Sequence, residues 1–351
     1  MEELTAKRKD SHLDLCATEE VAPVQNSTLL ECVRLVHCAM PEMAVDEVDT
    51  SAELFGKRLR YPLLITGMTG GTERASVVNK DLAAVAEKYG VAFGVGSQRA
   101  MSENLDRAST FHVRDVAPTA VLIGNIGLQQ AAVLGVDGVR RLGDAIGADA
   151  VAIHLNPGQE LTQPEGDRDF REGYKTLAQL VKAMGDRILV KETGCGISAD
   201  VAARLVDVGI RNIDVSGLGG TSWVRVEQLR AQGVAAEVGA VFSSWGIPTA
   251  AAIGSVRRAV GEGPRLVASG GIRNGLDVAK ALALGADIGG MALPLFRAQQ
   301  TGGRAGADAA MQAIVVGLTQ AMVLTGSRTV AELRRRPKVV TGELKDWLAA
   351  L

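Results

Sequence analysis

One stretch of the chain, Ala150 to Glu160, concentrates residues able to do chemistry where an apolar, strand-like run meets a Pro-Gly turn. His154 can exchange a proton near neutral pH, and Asn156 and Gln159 carry hydrogen-bonding amides. Glu160 supplies a carboxylate, which is a ligand that Mg²⁺ prefers. Because these groups stand together where a strand ends, they predict a reaction centre. The structural alternatives are a hydrogen-bonded core histidine and an exposed loop glutamate.

The composition is typical of an α/β protein. Of the 351 residues, 47% are apolar and 3% are aromatic, and 41 residues are glycine. That balance suits close-packed strands and helices with many tight turns better than a β-sandwich. The formal net charge of −2 provides no field that would recruit nucleic acid or an anionic membrane. We therefore expect neither as a partner.

The location of the protein is predicted from its N-terminus and its cysteines. The first residues, MEELTAKRKDSH, are charged and lead into no apolar segment of the kind that secretory signals carry. No uninterrupted apolar run approaches the roughly 18 residues that span a bilayer. Cys16, Cys32, Cys38 and Cys195 form no CxxC pair and have no zinc-like spacing. We expect a cytoplasmic protein with free thiols.

A strand–helix rhythm begins at Tyr61. Helical patterns, for example Asn79–Tyr89, Val201–Val208 and Leu276–Leu284, alternate with apolar and often β-branched runs. The runs are Pro62–Gly67, Val91–Gly96, Ala120–Gly124, Ala150–Ile153, Ile188–Val190, Asn212–Val215, Arg265–Ala268 and Asp287–Met291. This repetition predicts a (β/α)8 TIM barrel, an α/β fold, with N- and C-terminal helical extensions.

The chain is predicted to form a single domain, because no Gly/Ser linker interrupts it. Residues 1–60 are expected to form an N-terminal arm and extension, residues 61–296 the barrel, and residues 297–351 the C-terminal helices. A basic segment, residues 7–12, precedes a helix-like pattern and is either a solvated tail or an arm that folds over an anionic ligand. An insertion that includes Ser222–Gly233 predicts extra helices over the top of the barrel. An amphipathic helix is expected over residues 306–326, and Thr329 and Glu332 have capping-box spacing for another.

Polar and glycine-rich segments follow the predicted strands, at the barrel end where such folds place their chemistry. After the seventh strand, Gly270 and Gly271 precede Asn274, which could cap a helix whose positive end faces an anion. A plain glycine turn is the alternative. Lys191 ends the fifth strand, where a buried cation needs an anionic partner such as Glu192 or a ligand.

Together these motifs resemble type 2 isopentenyl-diphosphate isomerase, a flavin-dependent enzyme that interconverts isopentenyl and dimethylallyl diphosphate. The likeness covers nearly the whole chain. The motifs are RKDSH, GMTGGT, GSQRA, HLNPGQE with PEGDRDF, VKETGCGIS, SGLGGTSW, WGIPTA, ASGGIRNGLDVAKALALGAD and MALPLF. HLNPGQE and the N-terminal basic residues with His12 are the most specific of them. Two departures are visible, Cys195 where the family more often has Asn and Leu218 where a polar residue is frequent. The resemblance implies that both flank the flavin.

The resemblance implies a single FMN-binding barrel with Mg²⁺ at Glu160, NADPH as reductant, and a homo-oligomer, tetrameric or octameric. The implied cofactor contacts are Gly67, Met68, Thr69, Ser97, Asn125, Lys191, Ser216, Thr221, Gly271, Ile272, Arg273, Ala292 and Leu293. The implied diphosphate contacts are Arg8, Lys9, His12, Ser97, Gln98, Arg99 and Gln159. His154, Asn156 and Gln159 are the implied catalytic residues.

The chemistry agrees with this resemblance. Moving a double bond requires adding one proton and removing another, and an unactivated alkene is a very poor base. No side chain in the set is an obviously strong enough acid, so reduced FMN is expected to act as the acid and base without net redox. The rivals are an FMN-dependent 2-hydroxy-acid oxidase or dehydrogenase and a non-catalytic barrel that binds a nucleotide.

Overall fold

Twelve strands and fourteen helices are assigned in the computed structural model, which describes residues 11–18, 20–23 and 25–351. The strands are β1 Val33–Leu35, β2 Ala52–Leu54, β3 Lys57–Leu59, β4 Leu63–Ile65, β5 Ala92–Gly94, β6 Leu122–Gly127, β7 Ala150–Leu155, β8 Ile188–Glu192, β9 Asn212–Asp214, β10 Arg265–Ala268, β11 Ile288–Met291 and β12 Lys338–Val340.

The first helix, α1, covers residues 11–18. The others are α2 Glu73–Tyr89, α3 Arg99–Glu103, α4 Leu128–Asp144, α5 Pro157–Thr162, α6 Gly173–Met184, α7 Ala199–Asp207, α8 Trp223–Arg230, α9 Val234–Phe242, α10 Thr249–Val260, α11 Gly275–Ala283, α12 Leu293–Leu324, α13 Val330–Arg335 and α14 Gly342–Ala350. Short 3₁₀ helices add Leu30–Cys32, Val45–Glu47, Leu105–Thr110 and Gly185–Arg187.

Strands β4 to β11 form a closed parallel barrel, which confirms the predicted fold. Neighbouring strands pair in chain order, and β11 closes the ring on β4 with Met291 opposite Ile65. The strand bounds in the structure differ from the predicted ones by a few residues. For example, β6 ends at Gly127 rather than at the predicted Gly124, because Asn125 pairs with Ala152 on β7 and continues the ladder.

The hairpin β2–β3 covers the N-terminal end of the barrel. Its buried Leu54 and Leu59 join a cluster with interior residues of the barrel strands, including Leu64, Ile123 and Leu189. A barrel interior of this size is packed with side chains rather than open. Because apolar groups fill this end, the polar strand ends at the opposite end are left to form a site.

The two terminal extensions meet on the outside of the barrel. β1 pairs antiparallel with β12, with Val33 opposite Val340. Thr329 caps α13 by accepting a hydrogen bond from the Glu332 amide at 3.1 Å, as its spacing predicted. The pairing of β1 with β12 was not predicted, because both strands are three residues long and their partners are distant in sequence.

Helix α12 differs from the prediction of a helix over residues 306–326. It begins at Leu293 and bends at Gly302 and Gly303, where the backbone leaves the helical region. In the described part of the chain, α12 has the length and apolar composition of a membrane span. Core helices of soluble proteins pass the same test, and α12 packs on α2 and α11 with Met311 and Leu318 buried.

Candidate active site

Two adjoining cavities open at the C-terminal ends of the barrel strands. The large cavity, of about 430 Å³, is bounded by the ends of β4, β8, β9, β10 and β11. The small cavity, of about 90 Å³, is bounded by the ends of β5 to β8 and by α5. Five residues line both, namely Gly67, Met68, Lys191, Thr193 and Trp223. A molecule in one cavity can therefore contact a molecule in the other.

Most residues predicted to bind the cofactor line the large cavity. They are Gly67, Met68, Lys191, Ser216, Thr221, Gly271, Ile272, Arg273, Ala292 and Leu293. Ser97 and Asn125 line the small cavity instead. Thr69 lines neither cavity, and its buried hydroxyl has no hydrogen-bond partner within the described residues.

The glycine turns after β9 and β10 pack backbone against backbone at one corner of the large cavity. A Cβ on Gly271 would lie 2.5 Å from the Gly219 oxygen, and one on Gly220 would lie 2.3 Å from the Gly271 nitrogen. Arg273 donates to the Gly219 oxygen at 2.8 Å, and Asn274 caps α11 as predicted. Only glycine allows this approach, which exposes backbone N–H groups beside a helix N-terminus.

Ser216 holds a backbone conformation that side chains rarely adopt. Its φ is +39°, and it lies two residues after β9 at the edge of the large cavity. The Ser216 amide donates to the Asp214 carboxylate at 3.2 Å, and its carbonyl accepts from the Gly196 amide at 3.0 Å. Strained residues persist where their surroundings hold them, and they cluster at ligand sites.

The segment Ala150 to Glu160 forms one wall of the small cavity. His154, Asn156, Gln159 and Glu160 all line it. His154 Nδ1 lies 2.8 Å from Asn125 Oδ1, and Asn156 Nδ2 donates to Glu160 Oε1 at 2.8 Å. The Asp167 amide donates to the other oxygen of Glu160 at 2.8 Å. Side chains at the ends of β6 and β7 are thus held in one orientation.

Three residues predicted to contact substrate, His12, Ser97 and Arg99, also line the small cavity. Gln98 does not, because its side chain points into the protein. It donates to the Leu142 oxygen at 2.9 Å and accepts from the Asn125 amide at 2.9 Å. It is fully buried and tethers the end of β5 to β6 and α4. Arg8 and Lys9 lie outside the described residues.

The N-terminal helix α1 covers the small cavity from the side of the insertion. Its His12 ring packs edge-on against Trp223, with 5.1 Å between ring centroids. The insertion forms α8 and α9, as predicted. Trp223 belongs to the motif SGLGGTSW and lines both cavities. Nothing in its local sequence pattern predicted this position.

Glu227 on α8 is a site residue that the sequence reasoning missed. It is 1% exposed and accepts hydrogen bonds from Gln159 at 3.0 Å and Arg230 at 2.5 Å, with His12 Nε2 3.0 Å away. Burial by itself would raise the pKa of Glu227, but His12, Gln159 and Arg230 outweigh it and lower the pKa to about 2. One carboxylate therefore joins α1, α5 and α8.

The Glu227 cluster predicts a specific acid sensitivity. The pKa of Glu227 is lowered from 4.5 to about 2 in the folded protein, so its ionisation stabilises the fold above pH 4.5. That contribution, up to about 3 kcal/mol, is lost as the pH falls from 4.5 towards 2. Glu227→Gln should therefore lose less unfolding free energy than the wild type over this range, as measured by urea denaturation at each pH. Equal pH slopes for the two proteins would contradict the assignment.

Of the two anionic partners considered for Lys191, a ligand and the Glu192 carboxylate, the carboxylate does not pair with it. Lys191 Nζ donates to the Glu192 backbone oxygen at 2.7 Å. The Glu192 carboxylate instead accepts from the four amides of residues 193–196, at 2.5 to 3.1 Å. Burial raises the pKa of Glu192 to about 7 despite these donors. The carboxylate thus shapes the loop that lines both cavities.

Asp214 is the acidic residue next to Lys191 on the neighbouring strand. The two residues are register partners on β8 and β9, and Asp214 is 0% exposed. Ser269 donates to Asp214 Oδ1 at 2.7 Å, while Oδ2 is buried with no hydrogen-bond partner among the described residues. Burial lowers the pKa of Lys191 and raises that of Asp214, and each charge opposes the shift of the other.

Comparison with known proteins decides the family. The isopentenyl-diphosphate delta-isomerase of Metallosphaera sedula is 46% identical over 97% of this chain and 94% of its own length. The enzyme of the same name from Aeropyrum pernix is 45% identical over 97% of this chain and 92% of its own. A family model described as FMN-dependent dehydrogenase matches residues 156–340. The chain belongs to the FMN-dependent, type 2 isopentenyl-diphosphate delta-isomerases.

Membership in this isomerase family confirms the resemblance found in the motifs. Solved structures similar to the chain include several of mandelate oxidase. One, with a monooxide FMN adduct, has a TM-score of 0.67 and 19% identity over 97% of this chain and 100% of that chain. Another, with benzoyl-formic acid, has a TM-score of 0.64 and 18% identity, covering 95% and 98%. At such identities the likeness concerns the fold alone.

The large cavity fits the FMN of this family. The glycine corner offers amides to a phosphate, and Lys191 offers a cation near the centre of the barrel. A volume of about 430 Å³ lies in the range of cofactor sites. The two departures from the family pattern, Cys195 and Leu218, line neither cavity, although both had been expected to flank the flavin.

The small cavity fits Mg²⁺ only as a site shared with a ligand. Glu160 is its only carboxylate among the described lining residues. No group of three or more His, Cys, Asp or Glu residues gathers around a metal position in the described ranges. Mg²⁺ is commonly bound by one or two carboxylates plus substrate phosphates, with water completing its shell.

Proposed function

We propose that the protein interconverts isopentenyl diphosphate and dimethylallyl diphosphate by protonation and deprotonation, without net redox. The observation that carries the proposal is the junction of the two cavities at Lys191, Met68 and Trp223. A flavin in the large cavity would face the hydrocarbon end of a substrate whose diphosphate enters the small cavity. The family membership supports the same substrate.

Reduced FMN would supply the proton exchange that an unactivated alkene requires and that no described side chain of the site provides. The side chains hold the substrate. His154, oriented by Asn125, and Asn156, oriented by Glu160, line the small cavity where the substrate would lie. Trp223 and Met68 offer apolar surface to the hydrocarbon and exclude water.

The charged groups of the small cavity suit a diphosphate with its cation. Glu160 would hold Mg²⁺, and Arg99, whose Nε pairs with Glu103 at 3.4 Å, would offer its other guanidinium nitrogens to phosphate oxygens. Gln159 donates a hydrogen bond to Glu227, which fixes its side chain. The proton in that bond is not available to another acceptor while the bond is intact. We propose that Glu227 positions Gln159 and the N-terminal helix around the bound substrate.

Three further parts of the proposal have only the family resemblance for support. NADPH would reduce the flavin, the protein would act in the cytoplasm, and it would assemble as a homo-oligomer.

An anaerobic assay tests the function. Protein loaded with FMN, reduced with dithionite and supplied with Mg²⁺ should convert isopentenyl diphosphate into dimethylallyl diphosphate, detected by mass spectrometry after dephosphorylation. The same protein with oxidised FMN should be inactive. Absence of product from the reduced enzyme would overturn the proposal. A second arm adds mandelate to the oxidised protein, since bleaching of the flavin by a 2-hydroxy acid would favour an oxidase instead.

A further inference from the structure

Gln163 is a further polar residue in the lining of the small cavity. It follows α5 directly and lines the cavity with Glu160 and Arg99. Its backbone is fixed at both ends, because its amide donates to the Gln159 oxygen at 3.0 Å and its carbonyl accepts from Arg168 at 2.9 Å. The position of the side chain in the cavity wall is thus set by the fold.

The nitrogen of the Gln163 carboxamide is buried without a hydrogen-bond partner among the described residues. The residue is 1% exposed, and Nε2 has no hydrogen-bond partner in the part of the chain that the structure describes. Leaving a buried amide donor unpaired costs stability. Neighbouring amides in the same wall are paired: Gln130 donates to Asp167 at 2.9 Å, and Asn156 donates to Glu160 at 2.8 Å.

The surroundings of Gln163 select the kind of group that would pair with it. Nε2 is a donor, so its partner must be an acceptor. Glu160, the carboxylate of the same lining, already accepts from Asn156 and from the Asp167 amide. Arg99 adds positive charge to the lining. An anionic ligand with several oxygens, of which one meets Arg99 and another meets Gln163, satisfies both residues.

We propose that Gln163 Nε2 donates a hydrogen bond to a phosphate oxygen of the bound diphosphate, beside the cation at Glu160. This inference rests on the proposed function for the location of the diphosphate. Gln163 is then a substrate-binding residue whose donor is held unpaired until the ligand arrives. The unpaired donor lowers the stability of the ligand-free protein, and its hydrogen bond to the diphosphate raises the affinity for that ligand.

The inference is tested by calorimetry, which measures how tightly inorganic diphosphate with Mg²⁺ binds to the FMN-loaded protein. Gln163→Leu should weaken binding about tenfold, because one hydrogen bond to a charged group is lost. Its melting temperature without diphosphate should equal or exceed that of the wild type, because the unpaired donor is gone. Gln163→Met, which has a similar length and no amide, should behave alike and covers the case in which the Leu variant fails to fold.

Gln228 provides the matched control. Its Oε1 is also buried without a partner among the described residues, but Gln228 lines neither cavity and packs beside Gly239. Gln228→Leu should match the stability effect and leave diphosphate binding unchanged.

Several outcomes would overturn the inference. These are wild-type affinity in both Gln163 variants, equal weakening in Gln228→Leu, failure of the wild type to bind Mg²⁺-diphosphate, or a liganded structure with only water on Nε2. Failure of the proposed function is distinguishable. Diphosphate binding that weakens in the Gln163 variants, in a protein that does not isomerise isopentenyl diphosphate, would support the inference and overturn the function.

Discussion

Replacing Glu160 by Gln is expected to lower isomerase turnover by about 10²-fold or more while leaving FMN affinity within about twofold of the wild type. Glu160 is 5% exposed in the small cavity and does not line the large cavity. Gln keeps the size of the side chain but removes the charge that would hold Mg²⁺. It also places an amide donor opposite either Asn156 Nδ2 or the Asp167 amide, both of which donate to Glu160 now.

The measurement pairs turnover of isopentenyl diphosphate over a range of Mg²⁺ concentrations with FMN binding followed by fluorescence. Asp169→Asn is the control, because Asp169 is exposed on the following loop and pairs only with Arg171 among its described salt-bridge partners, at 2.6 Å. Asp169→Asn should have little effect on either quantity. Loss of FMN from Glu160→Gln, or full turnover in that variant, would argue against a metal role.

The second large effect concerns Lys191, which lines both cavities, and the buried Asp214. Asp214→Asn should lower the free energy of unfolding by about 1 kcal/mol or more, because it removes the negative charge that favours the Lys191 ammonium from the neighbouring strand. Asn keeps the side-chain oxygen that accepts from Ser269. Lys191→Met alone should also destabilise the protein, because Asp214 Oδ2 is already buried without a hydrogen bond from any described residue.

The double variant decides whether the two charges act as a pair. Lys191→Met with Asp214→Asn should be less destabilised than the sum of the single variants, with a coupling of about 1 kcal/mol or more. Urea denaturation of the FMN-free proteins measures it. FMN affinity should fall in both variants that lack Lys191, because Lys191 lines both cavities and Asp214 lines neither. Additive stability effects would show that Asp214 is neutral in the folded protein.

Much of the site could be predicted from sequence because it is local. Residues 150–160 combine a strand, a turn and four polar groups, and a strand end in a barrel has one defined direction. The glycine turn before Asn274 could be predicted for a similar reason, since its glycines and its cap are adjacent in the chain. Such features depend on short-range sterics and hydrogen bonding.

Other features could not be predicted, because they depend on contacts between distant segments. Glu227 lies 68 residues from Gln159 and 215 from His12, and its helix carries no local pattern that distinguishes this glutamate. The direction of the Gln98 side chain is another example. Its neighbours Ser97 and Arg99 line the small cavity, while Gln98 turns inward to bond Leu142.

The amino-acid sequence by itself determined the barrel, the segments that follow its strands and the family, because strand–helix periodicity and short motifs carry that information locally. Only the tertiary structure decided which polar groups are paired. The Glu192 carboxylate accepts hydrogen bonds from four amides, and Lys191 donates to a backbone oxygen. Gln163 Nε2 has no partner among the described residues. Hydrogen bonds act over about 3 Å, so their partners are set by packing that brings remote segments together.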